Sequence, residues 1–368
     1  MSKTTIQQLA DYGQSIWLDY ISRSLLETGR LKSLIDSGLR GMTSNPTIFN
    51  QAISSSCDYD SKITRLLESG KNTFEIYDEL TIRDIQEACD AFKNVYEKTD
   101  ALDGYVSLEI NPKLAMNTDE SIKEGRRLFK KVQRPNVMIK VPSTKAGFPV
   151  IEELLADGIN VNVTLIFSVK QYEQTAQVYF KGMNRLAQKQ KDLSRTRSVA
   201  SVFVSRIDTA VDKLLDEKKA SPSLKGKAAV ANSQLIFEKF QGLFAGDTFK
   251  ALAKNFAQPQ RVLWASTGTK NPAYSDIKYV TDLISKPTVN TLPANTLSAV
   301  LDHGVVQEAL TGDAEEARKI FNDLKTLGID IDQVCANLLT DGVAAFEKSF
   351  DELLHSIETK SKSLLFTS

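Results

Sequence analysis

The stretch NVMIKVP (136–142) alternates: Val137, Ile139 and Val141 fall on one face of an extended chain, Met138 and Lys140 on the other. A strand so apolar, with a single lysine on its second face, belongs in a parallel sheet covered by helices. Its neighbours repeat the pattern. In GYVSLEINP (104–112), Val106, Leu108 and Ile110 oppose Ser107, Glu109 and Asn111. In SIWLDYI (15–21), Ile16, Leu18 and Tyr20 oppose Trp17 and Asp19, and in NVNVTLIFS (160–168), Val161, Val163 and Leu165 oppose Asn162 and Thr164. Further strands are expected at GMTSNP (41–46), SVASVFVS (198–205), RVLWAST (261–267) and TVNTLP (288–293), which makes eight. Helical spacings lie between them, for example Leu25, Leu31, Leu34 and Ile35, or Ile76, Leu80 and Ile85, or Val211, Leu214 and Leu215. Eight such alternations predict an α/β fold, a single (β/α)8 TIM barrel whose polar strand faces converge on one mouth. The rival is an open doubly wound sheet, disfavoured because no GxGxxG follows the first strand.

The barrel domain is expected to take in residues 1–368, with helical insertions at about 47–103 and 206–260. In GVAAFEKSFDELLHSI, Val343, Phe346, Phe350, Leu353, Leu354 and Ile357 recur at helical spacing. They predict an amphipathic C-terminal helix folded back onto the barrel. EKKASPSLKGK (217–227) has the composition of a surface loop, and KGMNRLAQKQKDLSRTR (181–197) reads as a solvated basic face.

Composition narrows the chemistry. Forty-six Lys+Arg balance 46 Asp+Glu, which argues against nucleic acid as the main partner. No apolar run reaches the ~18 residues of a membrane helix, so no membrane partner is expected. The N-terminal MSKTTIQQLADYGQSIW is too polar for a signal peptide and lacks the Arg-rich character of a transit peptide. Cys57, Cys89 and Cys335 are widely spaced, which excludes a disulfide framework or zinc site and fits a cytoplasmic location. His303 and His355 are the only histidines, too few for a cluster of His metal ligands. No metal and no cofactor are expected. Any chemistry falls to Lys, Glu, Asp and hydroxyl groups.

Lys140 is the sharpest candidate. Burial favours the neutral amine, which can attack a ketone and form a Schiff base that serves as an electron sink. The competing reading is an ion pair with Glu109 or Asp19, and position alone does not separate the two. Glu109 and Asp19 supply two carboxylates that can divide acid and base roles, or simply neutralise the lysine. Glu109 is expected to be ionised at neutral pH unless strongly desolvated. Asn45, Asn162 and Thr164 can orient hydroxyls and water, or be satisfied core polars. SVFVSRID (201–208) and STGTK (266–270) place Ser201, Arg206, Ser266 and Lys270 at adjacent strand ends, a set that suits a phosphate dianion. STGTK is not a Walker A loop.

SIWLDYI, GMTSNPTIF, VSLEINP, NVMIKVPST, NVTLIFS, SVFVSRID and WASTGTKNPAYSD, in this order, resemble the transaldolase family over nearly the whole chain. The resemblance implies Lys140 as the Schiff-base lysine, Asp19 as acid/base and Glu109 with Thr164 holding a catalytic water. It further implies Asn45 and Asn162 on sugar hydroxyls, Phe203 lining the pocket, and Ser201, Arg206 and Ser266 on phosphate. The family pattern has an Arg shortly after the strand-seven serine. This chain instead resembles the longer subgroup, where a Lys serves, which points to Lys270. The implied reaction moves a dihydroxyacetone unit from sedoheptulose 7-phosphate or fructose 6-phosphate to an aldose phosphate, within the pentose phosphate pathway. Alternatives are a fructose 6-phosphate aldolase-like lyase and a non-catalytic sugar-phosphate-binding barrel. Such lyases resemble shorter chains with Gln and Tyr where this one has Glu109 and Phe203. Half of a fusion with a sugar-phosphate isomerase is a third, for which this chain is too short to hold both.

Overall fold

The computed structural model describes residues 3–367, so Met1, Ser2 and Ser368 of the expected domain lie outside the described residues. Eight parallel strands close on themselves in chain order: β1 (Gln14–Asp19), β2 (Gly41–Thr43), β3 (Tyr105–Glu109), β4 (Val137–Pro142), β5 (Val161–Ile166), β6 (Ser198–Phe203), β7 (Arg261–Ala265) and β8 (Thr288–Leu292). Pairing of β8 with β1, Trp17 opposite Thr291, completes the barrel. All eight expected strands are present and the open-sheet rival is excluded. Closure leaves no sheet edge, so every strand can be buried along its length.

The helices form where amphipathic periodicity coincides with a cap. Asn72 and Glu75 make a reciprocal capping box before the helix Thr73–Ala91, and Ser168 and Gln171 do the same before Val169–Ala187. The insertion after β2 holds the helices Pro46–Ser54, Asp60–Glu68, Thr73–Ala91 and Lys93–Lys98. The one after β6 holds Ser205–Glu217, Ala228–Ala245 and Asp247–Ala253. Part of the basic run 181–197 is paired within the chain: Arg185 lies 2.6 Å from Glu153, and Arg195 3.0 Å from Asp100.

The C-terminal helix Ile331–Thr367 is 37 residues long and crosses the barrel mouth. It packs chiefly on Pro46–Ser54, with further contacts to β5 and to Ser205–Glu217. Phe346, Phe350, Leu353 and Ile357 are buried as their spacing demanded, while Val343 and Leu354 are half-buried. Phe350 meets Tyr77 edge-on at 5.1 Å between ring centres.

The barrel interior is filled from the amino end upward. Arg261, on β7, donates to Ser15 (2.9 Å) and Asp103 (2.8 Å), a buried polar plug. Trp17 lies above it, fully buried, against Tyr105. Gly41 is what admits the indole: a Cβ there would stand 2.6 Å from Trp17 Cε2. Gly41→Ala should therefore destabilise the fold by ~1–3 kcal/mol through overpacking. Urea unfolding with an unchanged m-value would measure it, and a wild-type midpoint would mean that the indole has room to move.

Candidate active site

At the carboxyl end of the barrel, inward-facing side chains surround a cavity of about 390 Å³. Its walls include Asp19, Asn45, Lys140, Thr164, Ser201, Phe203, Arg206, Ser266 and Lys270, nine of the eleven residues singled out by sequence. Glu109 and Asn162 are the other two, buried beneath its floor. Strand parity explains the convergence, since Glu109 pairs in register with Lys140 and Lys140 with Asn162.

Lys140 is 5% exposed, enclosed without being cut off from the cavity. Its Nζ donates to the Ser44 carbonyl at 3.1 Å and stands 3.7 Å from Glu109 Oε2, with the Phe346 ring 5.8 Å away. The separation from Glu109 is an ion pair without a direct hydrogen bond. One cation therefore serves two carboxylates. Burial pushes Glu109 up to about 7, Lys140 opposes the rise, and the nearby Asp19 charge adds to it. Asp19 is raised by the same desolvation, held back by Lys140 and by the Thr43 hydroxyl. Glu109 is thus strongly desolvated, the condition under which full ionisation at neutral pH was not expected. Two buried polar atoms at the site, Glu109 Oε2 and Thr164 Oγ1, have no hydrogen-bond partner among the described residues. Buried atoms of that kind are commonly satisfied by ordered water.

The amides play different parts. Asn45 caps the helix Pro46–Ser54 through its carbonyl, which accepts from Ile48 N at 3.0 Å, leaving its NH2 group at the cavity wall. Asn162 is fully buried, donating to Ser107 Oγ (3.0 Å) and accepting from Ser201 Oγ (2.6 Å). Ser201 therefore spends its one hydrogen on Asn162 and belongs with the floor. It still lines the same cavity as Arg206 and Ser266.

Arg206 lies in the first turn of Ser205–Glu217, its guanidinium 5.1 Å from the Phe203 ring centre. Burial lowers its proton affinity, but an arginine remains a cation. No carboxylate pairs with it among the described residues. No side chain among the described residues caps that helix, and its first turn reaches the cavity through Arg206, which leaves its N-terminal dipole on that side. Ser266 adopts φ +55°, and its hydroxyl meets that of Ser205 at 3.1 Å. Lys270 is exposed on the outer wall. An unpaired guanidinium, a helix N-terminus and a serine hydroxyl form an anion-receptive end opposite the lysine.

Several site residues carried no usable signal in the sequence. Phe346, from the crossing helix, and Thr43, Thr291, Gln51 and Pro293 also line the cavity. Phe346 was legible as an apolar helix position, but its arrival over Lys140 depends on how a distant helix docks. The strand alternation also fails locally. Leu165 takes φ +59° where the β5–β6 register shifts, which turns its side chain toward Gly342 of the crossing helix. Ser143 donates to the Leu165 carbonyl at 2.9 Å and Gln171 also reaches it, holding this unfavourable conformation in place.

The charge balance makes a direct prediction. The Glu109 carboxyl, followed by infrared difference titration and identified by its loss in Glu109→Gln, should ionise with a midpoint near 7. Lys140→Met should move that midpoint higher, since it removes the cation that favours the carboxylate. A midpoint near the ordinary ~4.3 would refute this electrostatic description.

The family model described as Transaldolase/Fructose-6-phosphate aldolase matches residues 16–357. A Transaldolase of Saccharopolyspora erythraea is 46% identical, with 97% of each chain covered. One from Trichodesmium erythraeum is 43% identical over 97% of each, and Transaldolase 2 of a Nostoc species 41% identical over 99% of each.

Proposed function

This chain belongs to the Transaldolase/Fructose-6-phosphate aldolase family, and on that premise we propose how its cavity transfers a dihydroxyacetone unit between sugar phosphates. The function is that of a transaldolase, an enzyme of the transferase kind. The observation that carries the assignment of roles is the enclosed Lys140 amine, reachable from the cavity and flanked by two carboxylates with raised proton affinity.

Lys140 passes a proton to a neighbouring carboxylate, and its amine then adds to C2 of a ketose phosphate such as sedoheptulose 7-phosphate or fructose 6-phosphate. Loss of water gives a protonated imine, and Glu109 with Thr164 hold the water that leaves and returns. A carboxyl group with a midpoint near 7 is matched to taking and giving protons at neutral pH. Asp19 removes the C4 hydroxyl proton. The C3–C4 bonding pair then moves toward the imine nitrogen, releasing an aldose phosphate and leaving an enamine on Lys140. The acceptor aldehyde, glyceraldehyde 3-phosphate or erythrose 4-phosphate, enters and the steps reverse. Asn45 offers its amide hydrogens to the sugar hydroxyls, Asn162 with Ser201 braces the floor, and Phe203 walls the pocket. Arg206 and Ser266 take the phosphate, with Lys270 beside them.

Phe203 favours transfer over release, because a phenyl ring carries no hydroxyl that could protonate the enamine before the acceptor arrives. The test is a coupled assay for free dihydroxyacetone with fructose 6-phosphate, with and without erythrose 4-phosphate. Rapid turnover should require the acceptor. Brisk release of dihydroxyacetone without it would make the enzyme a lyase.

The phosphate end is tested separately. Arg206→Ala should raise the KM for phosphorylated donors by roughly one to two powers of ten, from ~1.5–3 kcal/mol for a lost charged hydrogen bond. Unphosphorylated fructose should barely respond. Equal losses on both would remove the phosphate role.

A further inference from the structure

We propose that Thr291, at the carboxyl end of β8, is a positioning residue that determines which oxygen of Asp19 exchanges the substrate proton. The proposal rests on the reading of Asp19 as the base of carbon–carbon cleavage. Asp19 Oδ1 accepts from Thr43 Oγ1 at 2.7 Å, and Thr43 Oγ1 lies 2.8 Å from Thr291 Oγ1. Both threonines are almost wholly buried, at 2% and 3% exposure. Thr291 is itself anchored, because Thr267 Oγ1 donates to its carbonyl at 3.1 Å.

Hydrogen counting gives this chain a single direction. An ionised carboxylate only accepts, so Thr43 must direct its one hydroxyl hydrogen at Asp19. The contact between the threonines then needs a hydrogen from Thr291. Thr291 Oγ1 has no other hydrogen-bond partner among the described residues, so nothing competes for that hydrogen. Oδ1 is thereby supplied with a donor and Oδ2 is left to the cavity. In cleavage, the C4 O–H bond breaks, its proton binds Oδ2, the C4 oxygen becomes the aldehyde carbonyl, and the C3–C4 pair passes into the enamine. In the reverse direction the same oxygen returns the proton to the new alkoxide. Without the Thr291 hydrogen, Thr43 is free to turn, and neither oxygen is reserved.

Besides the uncharged Thr43 hydroxyl, two titratable groups face Asp19, Lys140 from β4 and Glu109 from β3. Both persist in a Thr291 variant, so a change in the pH profile reports the hydroxyl chain. Losing a donor to the carboxylate raises its proton affinity, which moves the acid limb of cleavage to higher pH.

The experiment is single-turnover cleavage of fructose 6-phosphate across pH, with borohydride trapping as the measure of imine. Thr291→Val should trap imine as the wild type does but cleave it about tenfold more slowly, with the acid limb displaced upward. Thr291→Ser should restore both. A wild-type rate and limb in Thr291→Val, or a Ser variant as slow as Val, would overturn the proposal. Should Thr291→Val disturb folding, Thr43→Val cuts the same chain one link closer to Asp19 and must match or exceed the loss. Adding Thr291→Val to Thr43→Val must then cost nothing more, and a further tenfold loss would overturn the proposal. Asp19→Asn serves as the control for the underlying reading. If it still cleaves the imine, Asp19 is not the base. If it is blocked while Thr291→Val is unaffected, only the role of Thr291 fails.

Discussion

One buried ammonium facing two buried carboxylates is the constraint from which the chemistry of this barrel follows. At 3.7 Å and an effective dielectric of ~20, the Lys140–Glu109 attraction is about 4.5 kcal/mol. Enclosing each ion costs several kcal/mol, so the cost of burying both exceeds their attraction. The second carboxylate has no second cation. Asp19 and Glu109 are therefore both pushed toward their protonated forms, Glu109 to about 7. A site with one cation and two such carboxyls keeps a proton in circulation at neutral pH. That is the condition under which two like groups divide acid and base work.

The closed barrel makes this cluster possible. Strands buried on both faces leave a lysine at the mouth with no route to bulk water except through the cavity. The plug of Arg261, Ser15 and Asp103 closes the amino end, and the Trp17 indole, admitted by Gly41, fills the middle. Over the top runs the C-terminal helix, which brings Phe346 to within 5.8 Å of the amine. The cavity is thus enclosed at the lysine and cationic at Arg206. A ketose phosphate entering it is held at one end and made to react at the other.

Strand parity made most of this legible in the sequence. The alternations around Lys140, Glu109 and Asp19 placed all three on inner faces, because a period of two depends only on the local backbone. Arg206 and Ser266 were legible as strand-end residues. What local sequence could not convey was set by partners far along the chain. Asn162 could have reached a sugar or been satisfied in the core. Ser107 on β3 and Ser201 on β6 engage both ends of its amide. Leu165 continues an alternating pattern on paper, yet the register shift and the grip of Ser143 turn its side chain toward the crossing helix. Thr43 and Thr291 look like ordinary strand residues until the barrel closes and sets β8 beside β1.

The central claim is that Lys140 is the group that carries the substrate carbon. Borohydride reduction of the enzyme in the presence of fructose 6-phosphate, followed by peptide mass mapping, tests it directly. The account predicts a single stable adduct on Lys140, lost in Lys140→Ala. Labelling of Lys145 or Lys270 instead, or a persistent adduct in Lys140→Ala, would contradict it.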